Sequence, residues 1–243
     1  VIVTPAYAVD ADVPNVFTPR TVVSSSDVNE NFESLEDTVN RDQMFYAVDY
    51  AAANPTTDSG GIIEAYTACV AAGGGTVKVP NGVTLIDGDD LGGTGNELIH
   101  FNSDAICHVV GYGSPGIIDA SDPEGGSIIK ITDSAGITAF KIDKGGVRIA
   151  NLALVFVGAN ASTTGIYCGE VNNALVDDVN MESDGAFGTG AGIGIDMDNC
   201  LKGTVRDTET SQFAIGLRVD GYSNATAVYG GRFRSGGLGM QFT

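Results

Sequence analysis

The second half of the chain alternates apolar and polar residues in short runs, and the runs repeat. Four of them align: Gly165-Ile166-Tyr167-Cys168, Gly194-Ile195-Asp196-Met197, Gly216-Leu217-Arg218-Val219 and Gly239-Met240-Gln241-Phe242. Their glycines are 29, 22 and 23 residues apart, and Phe140-Lys141-Ile142 is a weaker earlier copy. Alternation with period two is the pattern of a strand with one buried face. A second register keeps step with the first: Ile149-x-x-Leu152-x-Leu154, Val176-x-x-Val179-x-Met181, Val205-x-x-Thr208-x-Thr210 and Val228-x-x-Gly231-x-Phe233. Strand registers that recur together across variable loops are the sequence form of a solenoid. The period suits one coil of a parallel β-helix. The fixed leucine and asparagine positions of leucine-rich repeats are missing, and a propeller blade needs about 40 residues or more.

Stacking the coils predicts specific neighbours. Ile166, Ile195, Leu217 and Met240 form one inward ladder; Cys168, Met197, Val219 and Phe242 form the next. Outside, Tyr167, Asp196, Arg218 and Gln241 stack, as do Asn180, Glu209 and Arg232, and Asp177 stands against Arg206. Adjacent strands lie about 4.8 Å apart. Asp196–Arg218, Glu209–Arg232 and Asp177–Arg206 are therefore natural cross-strand pairs, a class contributing about 0.2–1 kcal/mol each.

The chain before the repeats is organised differently. Residues 1–24 read as an extended arm, because Pro5, Pro14 and Pro19 forbid helix. Ala6-Tyr7-Ala8 has the small-x-small form of a signal cleavage site, without the positive and long apolar segments of a signal peptide. Residues 26–40 read as a helix opened by Asp27 with Glu30 as its capping box. Its apolar residues, Val28, Phe32, Leu35 and Val39, form a narrow coiled-coil seam. Fewer than two heptads cannot hold alone, so it either docks on its own β-domain or joins an intersubunit bundle; the narrow seam favours the bundle. Thr57-Asp58 opens another helix, with Ile62, Ile63, Tyr66, Cys69 and Val70 on one side and Gly73-Gly74-Gly75 ending it. Thr76 to Val79 and Val83 to Ile86 read as strands around a Pro80-Asn81-Gly82 turn. Residues 87–138 give strands at Ile99-His100-Phe101, Cys107 to Gly113 and Ile128 to Ile131, in irregular coils. Gly239 to Thr243 begin a coil without finishing it, which predicts that the native polypeptide continues.

Two stretches resemble known families. Asn15-Val16-Phe17-Thr18, Thr21-Val22-Val23 and Asp27 to Phe32 are similar to a short leader found in phage tail-fibre and tailspike proteins and in some secreted bacterial proteins. The helix, glycines and strand over 57–86 resemble the start of the pectate-lyase-like β-helix family, in which such a helix caps the open first coil. An uncapped end would expose backbone and core. The resemblances imply an all-β fold: a single-stranded right-handed parallel β-helix capped by a short helix, preceded by an extended arm and a short α-helix. The division is 1–45, arm and trimerisation or attachment helix, and 46–243, β-helix.

Composition narrows the function. The chain has 243 residues, 34 of them glycine, and a net charge of −19. Such acidity argues against nucleic-acid partners and anionic membranes, and repels anionic polysaccharide unless a local basic patch or cations intervene. No apolar run reaches the length needed to cross a bilayer. The four cysteines, at 69, 107, 168 and 200, show no metal or redox spacing. They read as free, buried thiols of a reducing cytoplasm, with Cys168 a small core residue; an exported protein could pair some of them.

Candidate chemistry lies on the coils. Polysaccharide-cleaving β-helices generally use two carboxylates. Stacking puts Asp198 against Asp220 with Asp196 two residues away, so these three are the catalytic candidates, set against a plainer reading as solvated turn aspartates. Tyr167 and Arg218 are the binding candidates beside them, and Tyr222 is the other nearby aromatic. Asp87-Gly88-Asp89-Asp90-Leu91 is oxygen-rich but fails the EF-hand pattern. His100 and His108 could pair on a metal only if their strands met. No metal or cofactor is expected, and no family active-site motif is matched. Asn160-Ala161-Ser162 and Asn224-Ala225-Thr226 are acceptor sequons. Three functions compete. The favoured one is a homotrimeric phage tailspike or tail-fibre subunit, located on the virion tail. Its N-terminal arm would bind the phage tail or baseplate and its β-helix would face host surface polysaccharide. The others are a depolymerase of that polysaccharide and a secreted bacterial β-helix surface or filament protein.

Overall fold

A computed structural model describes residues 43–51, 60–89, 91, 96–113, 125–171, 173–184, 190–223 and 226–243. The arm over 1–24, the helix over 26–40, the leader and the expected helix start at Thr57-Asp58 lie outside the described residues. Among the described residues, fifteen strands and two helices follow in order. They are β1 (Met44–Tyr46), α1 (Ala47–Tyr50), α2 (Ile62–Ala71), β2 (Gly74–Lys78), β3 (Gly82–Asp87), β4 (Glu97–Phe101), β5 (Ile106–Val110), β6 (Ser127–Thr132), β7 (Thr138–Ile142), β8 (Arg148–Phe156), β9 (Thr164–Gly169), β10 (Leu175–Ser183), β11 (Ile193–Asp198), β12 (Thr204–Arg206), β13 (Glu209–Asp220), β14 (Ala227–Tyr229) and β15 (Arg232–Phe242). Every pairing among them is parallel. The protein is an all-β parallel β-helix.

Each full coil has three faces where the repeat suggests two strand registers. The first face stacks β1, β2, β5, the start of β8, the start of β10, β12 and β14. The second stacks β3, β6, the ends of β8 and β10, and the starts of β13 and β15. The third stacks β4, β7, β9, β11 and the ends of β13 and β15. The second sequence register is thus two faces joined by a bend. Asn151 (φ 56°), Asp178 (φ 51°), Asp207 (φ 48°) and Gly230 (φ 67°) sit at that bend, two residues after Ile149, Val176, Val205 and Val228. A left-handed residue turns the chain there, and Asn, Asp and Gly are the types that adopt it at least cost.

The predicted ladders hold. Phe140, Ile166, Ile195, Leu217 and Met240 are successive partners, and so are Cys168, Met197, Val219 and Phe242. Ile166, Ile195 and Leu217 are fully buried. Met240 and Phe242 occupy the last rung with no strand beyond it among the described residues, and are 47% and 69% exposed. The glycine heading each third-face repeat has a packing cause. A Cβ on Gly165 would meet Met181 Sδ at 2.7 Å, and one on Gly194 would meet Thr210 Cγ2 at 2.8 Å. Inward side chains of the second face already fill that space.

Helix α2 caps the first coil, packing on β1, β2, β4 and β5 with Ile62, Ala65 and Cys69 buried. Tyr66 donates its hydroxyl to the His100 carbonyl at 2.9 Å and meets Phe101 edge-on. Gly73, at φ 86°, ends the helix as expected. The free-thiol reading is overturned. Cys69 of the cap bonds to Cys107 of β5, and Cys168 of β9 bonds to Cys200 in the turn after β11. Coiling brings these residues to Cα separations of 6.2 and 5.8 Å across 38 and 32 residues of chain. Closing loops of that length stabilises by about 4 kcal/mol each in the chain-entropy account.

All three expected charge pairs form. Arg218 grips Asp196 through Nε at 2.8 Å and Nη2 at 2.5 Å. Arg206 grips Asp177 at 2.7 and 2.6 Å, and Arg148 reaches the same carboxylate at 3.0 Å. Glu209 faces Arg232 at 3.7 Å and Arg234 at 3.5 Å.

Two outcomes test this architecture. Asn151→Val should cost about 1–2 kcal/mol in denaturant unfolding, because a β-branched residue is strained in the left-handed region, while Asn151→Gly stays within about 0.5 kcal/mol. Asp177→Asn should cost about 1.5–3 kcal/mol near neutral pH. The Arg206 hydrogen bonds, aided by Arg148 and opposed by burial, hold the Asp177 carboxyl below the ordinary carboxylate range. A depressed value means the stabilisation is complete above about pH 3.9 and disappears as pH falls through the folded-state value. Unfolding curves of the two proteins should therefore converge in acid.

Candidate functional site on the third face

On the third face, side chains two residues apart point outward together, and the fixed register lines them up between coils. One outward column runs His100, Lys141, Tyr167, Asp196, Arg218 and Gln241. The column beside it takes the residue two further along each strand, including Asp143, Gly169, Asp198, Asp220 and Thr243. All five sequence-predicted residues, Tyr167, Asp196, Asp198, Arg218 and Asp220, fall in these two columns.

They do not share one role. Asp196 is 2% exposed and held by both nitrogens of the Arg218 fork, which fixes the pair in the wall of the coil. Asp198 lies open to the groove and accepts the Tyr167 hydroxyl at 3.2 Å and Asn199 Nδ2 at 2.9 Å. Asp220 is its partner on the next rung and accepts the Gly221 N–H at 2.6 Å. Bonds from Thr243 and Gly221 hold the Asp220 carboxyl below its ordinary range. Burial and the neighbouring Asp198 push the Tyr167 hydroxyl up to about 12. Tyr167 is therefore a neutral donor near pH 7 and not a base.

The other half of the site comes from earlier coils. A groove of about 500 Å³ is lined by Lys141, Asp143, Tyr167, Gly169, Glu170 and Asp198. His100 Nε2 lies 2.5 Å from Asp143 Oδ2. Lys141 Nζ stands 3.4 Å from Glu97 and 3.9 Å from Asp143. Sequence reading missed Lys141, Asp143 and Glu170. The signal was present, since matching Phe140 to Ile166 puts Lys141 beside Tyr167 and Asp143 beside Gly169.

Other candidates fare differently. His108 lies on the first face, where Nδ1 accepts the Arg148 N–H at 3.1 Å, so the two histidines do not meet. In the acidic loop, Asp87 and Asp89 are joined by Asp133, their carboxylate oxygens within 4.8 Å of one another. Asp133 comes from the rung below and not from the loop's own spacing. No described helix is long and apolar enough to cross a membrane.

No protein-family model matches the chain, and no curated protein matches it. Among solved structures, ORF18 of Geobacillus virus E2 is similar, at 15% identity and a TM-score of 0.48, over 89% of this chain. The chain spans 46% of that protein's length.

The Asp196–Arg218 pair has a clear test. Arg218→Met leaves a carboxylate buried without its counter-ion and should cost about 3–5 kcal/mol. Replacing both, as Asp196→Leu with Arg218→Met, should recover most of that loss in the same thermal or denaturant measurement.

Proposed function

We propose that this chain is the recognition shaft of a phage tailspike or tail fibre. In this reading residues 1–45 fix a homotrimer to the phage tail or baseplate, and the β-helix over 46–243 turns its third face toward host surface polysaccharide. The groove at Tyr167 carries the reading. It offers an aromatic ring beside fixed carboxylates and an ammonium, the mixture that holds a polyhydroxylated ring by stacking and hydrogen bonds. The tail-fibre-like leader at Asn15 to Phe32 supplies the virion context.

Binding fits the geometry better than cleavage. Asp198 and Asp220 occupy adjacent rungs, about 4.8 Å apart along the backbone, near the spacing of a retaining pair. A glycosidase also needs a carboxyl that keeps its proton near neutral pH. Asp220 is held in the opposite direction, and Asp196 is closed into the wall of the coil by Arg218.

The disulfides favour a second reading, the secreted bacterial surface protein, because such bonds form and persist in oxidising surroundings. In a virion protein they would close after release from the cell.

Purified native chain should sediment as a trimer, co-purify with virions and be retained on immobilised host polysaccharide without shortening it. A monomer absent from virions, with a mature terminus at Val9, would replace the phage reading with the secreted one. Depolymerisation that stops in Asp198→Asn with Asp220→Asn would restore the enzyme.

A further inference from the structure

The ring of Tyr167 does not stand away from the sheet. A Cβ on Gly169 would meet its Cε1 at 2.6 Å, its hydroxyl oxygen at 2.8 Å and its Cζ at 3.0 Å. The ring therefore lies along its own strand, over the Gly169 backbone. Asp198 holds the far end through the hydroxyl at 3.2 Å. The hydroxyl end of the ring rests over the Gly169 backbone, and the ring lines the groove. Glycine two residues on is what permits this, since any side chain at 169 would lift the ring.

The charges around the ring are unequal. Asp143, Glu170 and Asp198 line the groove against one cation, Lys141. That ammonium is already shared between Glu97 and Asp143. Asp143 is further steadied by His100. The whole chain carries −19, so no distant positive field offsets the groove.

We infer that the groove is a subsite for a non-acidic sugar: a pyranose ring stacks on Tyr167, its hydroxyls donate to Asp143 and Asp198, and the glycan carries no carboxylate or phosphate at that unit. This rests on the glycan-binding reading above and adds the class of glycan. Carboxylates accept strong hydrogen bonds from hydroxyls. The same carboxylates leave an acidic sugar facing like charge, with no free cation among the described residues of the groove to pair it. Gly169 is a specificity-determining position, because it sets the height of the platform. Tyr167, with its proton bound far above neutral pH, stays an uncharged stacking face.

The test is calorimetric titration of the full chain with three sets of probes: neutral gluco-, manno- and galacto-oligosaccharides, a chitosan hexamer and hexagalacturonate. At least one neutral or amine-bearing probe should bind, and hexagalacturonate should not. Tyr167→Ala and Gly169→Val should each weaken that binding by about tenfold or more, with the β-sheet signal of both variants retained in circular dichroism. Tyr167→Phe should retain most of it, since the ring remains. Tight binding of hexagalacturonate that Tyr167→Ala removes would overturn the non-acidic assignment while leaving glycan binding in place. Binding of a neutral probe that Tyr167→Ala leaves intact would move the subsite elsewhere and overturn it too. Binding of none of the probes would sink this assignment together with the glycan-binding reading beneath it.

Discussion

Everything in this molecule depends on one parallel register kept from coil to coil. When each strand lies in step on the one before, like positions form columns with a spacing of about 4.8 Å. The inward columns then pack apolar side chains on one another without any closed spherical core, and stability accumulates rung by rung. Phe140, Ile166, Ile195 and Leu217 show this on the third face, and Ile149, Val176 and Val205 on the first. The same constraint dictates small residues. Gly165, Gly194 and Gly216 sit where Met181, Thr210 and Phe233 arrive from the opposite wall. A slip of one residue would turn every ladder inside out, so the interior enforces the register that the surface then uses.

Much of this was legible in the sequence because a solenoid writes its contacts as a period. The stacks running from β9 to β15, and the pairs Asp196–Arg218, Asp177–Arg206 and Glu209–Arg232, follow from alignment alone. The period fails where loops lengthen. Phe101 and Ile142 are rung partners 41 residues apart, whereas Ile142 and Cys168 are 26 apart. That stretching hid His100 from the site. The division between the first and second faces was hidden for another reason: β8 and β10 run through their bend without a break, so two faces read as one segment. The left-handed residues that make the bend, Asn151 and Asp178, stand in the unspecified second x of the repeat. The disulfides left no trace because each joins a strand to a residue outside the ladder, Cys69 in the cap and Cys200 in a turn.

The same residue type meets two fates on one surface, and the neighbouring rung decides which. Asp177 and Asp196 each have an arginine at the adjacent position and are almost wholly buried under it. Their charge is neutralised within the wall, and they hold coil to coil. Asp198 has Gly169 on one side and Asp220 on the other. Asp143 lies beside Gly169 as well and is met by a histidine and a lysine from the side. With no guanidinium to close over them, both carboxylates keep acceptor capacity facing the groove. A carboxylate on a β-helix is committed to the fold when an adjacent coil supplies a long cation, and left available for a partner when an adjacent coil supplies glycine. The functional surface is thus read from what lies one coil away, 22 to 29 residues along the chain, and not from the residue's own neighbours in sequence.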